Sequence, residues 1–214
     1  MDPAIHLLAR TLQPRRGQAW HGGPTPVGAL RGVTPAAARW RPAPGRHTIW
    51  ELALHTAYWK YAIRRRLLGA DLPRFPRSPA NWPGMPAPAD ARAWARDREL
   101  LAVEHQLLLE TVEDFPGSLL GKSAGGRKRW TWGDLILGIV MHDAYHYYFG
   151  CWYAARAIRL LPANDQRGLA AKLADRVLAT QEIDGGFVDG QMQGKSVGTA
   201  LALLAILESA EALK

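Results

Sequence analysis

The stretch HTIWELALHTAYWKYAIRRRLLG, residues His47–Gly69, decides how the rest of the chain is read. Thr48-Ile49-Trp50-Glu51 has the form of a capping box. In such a box a threonine side chain takes up a free amide of the first turn, and a glutamate three residues on reaches back. The pattern predicts a helix from about Ile49 to Leu68, stopping before Gly69. A matching start, Thr131-Trp132-Gly133-Asp134, opens another long helix expected to reach about Leu160, with Pro162 beyond its end. Between them a helix is expected over about Ala89–Glu113. Its apolar stripe is Trp94, Leu101, His105, Leu108 and Val112.

Proline and glycine mark the connections. Residues 14–47 are rich in Pro, Gly and Arg and hold only short helical turns, near Val27–Leu30 and Pro35–Arg39, after a short helix at residues 3–13. Residues 71–88 carry seven prolines or glycines and read as a loop. Residues 118–130 are glycine-rich and basic, a loop or weak hairpin. Beyond 162 the character changes: helices at about 165–180 and 196–212 flank QEIDGGFVDGQMQGK. The last helix is apolar over a wide arc and needs a partner surface. The expected division is therefore a bundle over 1–162 and a helical extension over 163–214.

Composition narrows the function classes. The 214 residues suffice for one sizeable core. A single cysteine, Cys151, excludes an intramolecular disulfide and any multi-thiolate zinc site within one chain. No apolar run is long enough for a membrane span. The first residues do not resemble a signal peptide, so the expected location is the cytoplasm. The net charge of +8 comes mostly from scattered arginines, with clusters at Arg64-Arg65-Arg66 and Arg127-Lys128-Arg129. Phosphate contacts and a solvated basic surface both fit such clusters. No helix-turn-helix, finger or RNA-recognition pattern accompanies them.

MHDAYHYYFG carries the sharpest chemistry. His142 and His146 are four apart on an expected helix, so both imidazoles face one side and can grip one divalent cation. Chance gives about 0.2 such pairs in a chain with this many histidines, and two satisfied core histidines would look the same. A third, His55, stands two turns past the Thr48 cap, and His142 stands three turns past the Thr131 cap. Facing helices of a bundle could therefore bring the three together. Three imidazoles would leave coordination positions open, as a catalytic site requires. Glu51, one turn before His55, is either the cap glutamate or a fourth ligand or base. Tyr58, one turn after it, either lines a pocket or packs in the core. Cys151 and His105 read as core residues.

Three segments resemble the DinB-like, damage-inducible superfamily of metal-binding four-helix bundles. They are AWHGGP with the following PVGALRGVTPAAARWRP, the His47–Gly69 segment, and GIVMHDAYHYYFG at Gly138–Gly150. The resemblance implies an all-α, up-and-down four-helix bundle, here with a C-terminal helical hairpin. It also implies a three-histidine site formed by His55, His142 and His146. The implied metal is nickel, zinc or iron(II), and homodimers are frequent. Members with known activity are thiol-dependent transferases or isomerases, or are described as metal-dependent hydrolases. This chain departs from the family in placing Tyr147, Tyr148 and Phe149 after the histidine pair, where a small residue and a glutamine are usual. By helical angle Phe149 and Tyr153 share the ligand face, so the pocket should be narrow and apolar. The tail, ATQEIDGGFVDGQMQGKSVGTALALLAIL, resembles one repeat of the α/α-barrel terpene-cyclase and prenyltransferase type. One unit cannot close a barrel, so it is expected to pack on the bundle or at a dimer interface.

The expected function is a metal-dependent hydrolase or thiol-dependent transferase acting on a small molecule, with the arginines attracting an anionic thiol. The alternative is a non-catalytic metal-stabilised binding or stress-response module. Nucleic-acid binding through the basic clusters ranks behind both.

Overall fold

The computed structural model describes residues 2–13, 26–41, 44–69, 72–126, 129–159, 163–178 and 194–211. The described residues form eight α-helices: α1 (Pro3–Leu12), α2 (Pro26–Ala29), α3 (Pro35–Arg39), α4 (Ile49–Leu68), α5 (Ala91–Glu113), α6 (Trp132–Ile158), α7 (Ala163–Leu178) and α8 (Gly194–Glu211). The chain is all-α, as a DinB-like bundle should be. Among the described residues no helix is long and apolar enough to cross a membrane.

The caps form as the sequence predicts. The Glu51 amide donates to Thr48 Oγ1 at 3.1 Å, and the Thr48 amide donates to Glu51 Oε2 at 2.8 Å. Gly69 closes α4 in the left-handed region at φ 60°, where a residue without Cβ is unstrained. At α6 the Asp134 amide donates to Thr131 Oγ1, and Asp134 Oδ2 accepts from the Thr131 amide at 2.8 Å. Before α6 Ser123 and Thr131 form an isolated antiparallel bridge, and the Ala124 amide donates to the Trp130 carbonyl, a weak hairpin pairing as expected.

Contacts divide the chain into two compact units. One holds residues 1–13 and 25–139, the other takes in 140–214, and the division falls inside α6. The first unit is built on the pairing of α4 with α5. At the start of both helices the Trp50 indole meets Trp94, ring centres 5.0 Å apart, and its Nε1 donates to Asp97 Oδ2 at 2.8 Å. Farther along both, Arg64 grips Glu104 through Nε at 3.1 Å and Nη2 at 3.0 Å. The two helices therefore run parallel. The all-α bundle forms as expected, but the up-and-down order does not extend to this pair.

A parallel pair needs a connection that travels the full length of the first helix. Residues 72–90 supply it, and their prolines suit an extended strap with few amides to satisfy. The strap descends α4 in order. Tyr61 Oη donates to the Pro73 carbonyl, Phe75 lies against Tyr58 and Tyr61, Asn81 and Trp82 reach His55, and Met85 meets Thr48. Beneath lies a core of Ala38, Trp50, Ala53, Leu54, Ala57, Ala93, Trp94 and Leu101, all buried. Leu54 and Trp50 are fully enclosed, each worth about 1.5–3 kcal/mol by burial. α1 packs on α5 through Ile5, Ala9 and Leu12, and Gln13 Oε1 accepts from His105 Nε2 at 2.8 Å. His105 is buried in the core, as its place in an apolar stripe predicts, and is tied through Nε2 to Gln13.

In the second unit α7 and α8 pack together. Cys151 of α6 is buried with Val177, Ala202 and Ala205, the small core role expected of it. Arg159 pairs with Glu208 across the same unit. The QEIDGGF turn lies outside the described residues.

Asp97 joins three pieces of the first unit, since Arg77 of the strap also donates to it, at 2.5 Å. Its carboxylate is fully buried while Arg77 stays a quarter exposed. An Asp97→Ala change leaves an indole N–H and part of a guanidinium unsatisfied. The expected loss is about 2–3 kcal/mol in urea unfolding. Asp97→Asn, which keeps one acceptor, should lose less.

Candidate functional site

His55 sits in the middle of α4, 6% exposed, beneath the strap. Its Nδ1 lies 2.5 Å from the Asn81 carbonyl oxygen. A carbonyl only accepts, so Nδ1 carries the proton and the neutral ring's lone pair is on Nε2. Trp82 stacks on the His55 ring at 3.7 Å with an 11° tilt, and Trp59 meets it edge-on at 6.4 Å. Trp82 also stacks on His47, at 3.6 Å and 3°. The indole is thus held between two imidazoles, one buried and one exposed.

Glu51 is occupied by structure. Besides the Thr48 amide, its carboxylate accepts from Arg41 Nη2 at 2.7 Å and has His47 Nδ1 3.6 Å away. Burial pushes the Glu51 carboxyl up, but the Arg41 hydrogen bond, the Thr48 amide and the charges of Arg41 and His47 outweigh it. The group is held below the usual glutamate range. Tyr58 turns toward the strap at Phe75 and lines an open groove of about 380 Å³ with Tyr61, Ala62, Arg65 and Arg66.

His142 and His146 lie on the part of α6 in the second unit. His142 is about one-fifth exposed, its Nδ1 4.0 Å from Asp143 Oδ1. The side chains of His146, Phe149 and Tyr153 lie outside the described residues. Among the described residues no group of three or more His, Cys, Asp or Glu side chains gathers as a metal cluster.

The donors present nevertheless suit the implied group. His55 has the arrangement of metal-binding imidazoles, with one nitrogen tied to a carbonyl and the other carrying the lone pair. An all-imidazole set matches zinc, nickel or iron(II). Part of the basic surface is committed elsewhere. Arg64 holds Glu104, and Arg66 donates to the Ala124 carbonyl at 3.2 Å. Arg127 and Lys128 lie outside the described residues.

Sequence reading passed over Asn81 and Trp82, which meet His55, and His47, which stacks on Trp82. One signal was available: Asn81-Trp82-Pro83 puts a turn-forming residue and a large aromatic inside a loop that otherwise holds mostly small residues and prolines.

A family model, described as the DinB superfamily, matches residues 27–149. That span covers more than half of the chain and includes His55, His142 and His146. The chain belongs to the DinB superfamily, a class of helical proteins whose members generally bind metal. No curated protein and no solved structure matches it.

The depressed Glu51 carboxyl links stability to pH. Its stabilisation is fully present above the ordinary glutamate pKa and is lost as pH falls through the lower, folded-state value. Unfolding free energy followed downward from neutral pH should therefore drop more steeply, below about pH 4.5, in the parent protein than in Glu51→Gln. At neutral pH Glu51→Gln should itself lose about 0.5–1 kcal/mol.

Proposed function

We propose that the protein holds one divalent transition metal through His55, His142 and His146, and acts on a small molecule as a hydrolase or thiol-dependent transferase. The observation that carries this is the setting of His55: a buried imidazole whose Nδ1 meets a backbone carbonyl, on the helix where family membership expects a ligand. A bound metal of this class lowers the pKa of a coordinated water or thiol and so supplies a nucleophile near neutral pH.

The chain's own residues do the remaining work. Asn81 and Trp82 fix the ring of His55 and cover one of its faces. Phe149 and Tyr153, on the ligand face of α6 by helical angle, would narrow the site and exclude water. The groove lined by Tyr58, Tyr61 and Arg65 offers aromatic surface and positive charge along α4, which suits an anionic small molecule such as an acidic thiol.

A homodimer is part of the same proposal. Leu203, Leu204 and Leu207 of α8 are 39–61% exposed on one arc of the helix, an apolar surface that a second copy would cover. The tail, with its likeness to a single α/α-barrel repeat, is read as this packing element and carries no catalytic role.

Elemental analysis of protein purified without a histidine tag should find about one zinc, nickel or iron per chain, by the usual occupancy of a three-ligand site. His55→Ala, His142→Ala and His146→Ala should each abolish it. Absence of stoichiometric metal in the parent, or full retention by His55→Ala, overturns the proposal. Sedimentation of a Leu204→Glu/Leu207→Glu variant should give a monomer where the parent gives a dimer.

A further inference from the structure

Asn81 touches the candidate site twice. Its backbone carbonyl accepts from His55 Nδ1 at 2.5 Å, and its side-chain Oδ1 accepts from Trp59 Nε1 at 2.8 Å. His55 and Trp59 are one turn apart on α4, so a single strap residue bridges two neighbouring positions of that helix. To do so it adopts φ 70°, the left-handed region, and it is the one non-glycine among the described residues with a positive φ. Asparagine and glycine enter that region readily, whereas most other residues are strained there. Trp82 follows directly and lies flat on the His55 ring.

We infer that Asn81 is the positioning residue of His55: its carbonyl fixes the ring with the proton on Nδ1 and the lone pair on Nε2, and its bond to Trp59 holds that carbonyl in place. Each half has a separate physical basis. The carbonyl selects the tautomer because it cannot donate, so an imidazole protonated on Nε2 would set a lone pair against an oxygen. The Trp59 bond matters because it holds the side chain of the same residue whose carbonyl meets the ring. Without that bond the Asn81 peptide could rotate, and the carbonyl would leave the ring. Residues that orient metal-binding histidines in this way typically alter metal affinity about 10–100-fold when changed. The consequence for metal rests on the reading of His55 as a ligand, while the tautomer assignment does not.

Two variants separate the parts. Trp59→Phe keeps a ring in place and removes only the indole donor. Asn81→Gly keeps the left-handed backbone accessible and removes only the side-chain acceptor. Imidazole ¹⁵N shifts of metal-free protein at about pH 8, where histidine is neutral, report the tautomer directly. Zn²⁺ affinity is then measured by chelator competition. The parent should show His55 protonated on Nδ1. Both variants should show a mixture of tautomers and bind Zn²⁺ about 10-fold more weakly or worse.

The inference is overturned if both variants keep the parent's His55 shifts. If the tautomer changes while Zn²⁺ affinity stays the same, Asn81 does position the ring, and the reading of His55 as a metal ligand is what is overturned. A parent that binds no Zn²⁺ would instead defeat the proposed metal site, and the shifts alone would then decide the role of Asn81.

Discussion

The buried carboxylate of Asp97 is the constraint on which the first unit depends. It lies on α5, accepts the indole proton of Trp50 on α4, and takes the guanidinium of Arg77 from the strap between them. A fully buried charge is costly unless its lone pairs are used, and here both oxygens have donors. That requirement fixes where α5 begins relative to α4 and pulls the strap down onto the pair. Once the strap is fixed at Arg77, the next residues along it, Asn81 and Trp82, arrive over the middle of α4, where His55 is. The architecture and the candidate site are therefore one packing solution.

The helices were legible because their signals are local. Thr48 and Glu51 are three residues apart, as are Thr131 and Asp134, and cap geometry needs nothing beyond that span. Cys151 and His105 were legible for a related reason: each sits on an apolar helix face that leaves little choice of role. The relative direction of α4 and α5 was not, since helical periodicity is the same read toward either neighbour. Only pairings across the long strap reveal it, Trp50 with Asp97 and Arg64 with Glu104.

The candidate site divides along the same line. His55 could be singled out from its turn count and motif. Its surroundings could not, because the Asn81 carbonyl that orients it lies 26 residues away in a segment without periodicity. Glu51 shows the limit from the other side. A carboxylate one turn from a histidine has two readings in sequence. Arg41, ten residues upstream, and the Thr48 amide together engage both of its oxygens.

His55 is held by a peptide carbonyl, and every residue has one. The strap is thereby constrained in shape more than in composition. Apart from Phe75, which packs on Tyr58 and Tyr61, and Arg77, which meets Asp97, positions 72–80 can exchange side chains so long as Asn81 still arrives over α4 with its left-handed turn. Adding or removing a single residue there would carry the carbonyl past the ring. Across evolutionary time this connection should tolerate substitution far better than insertion or deletion, the reverse of what is usual for a surface loop.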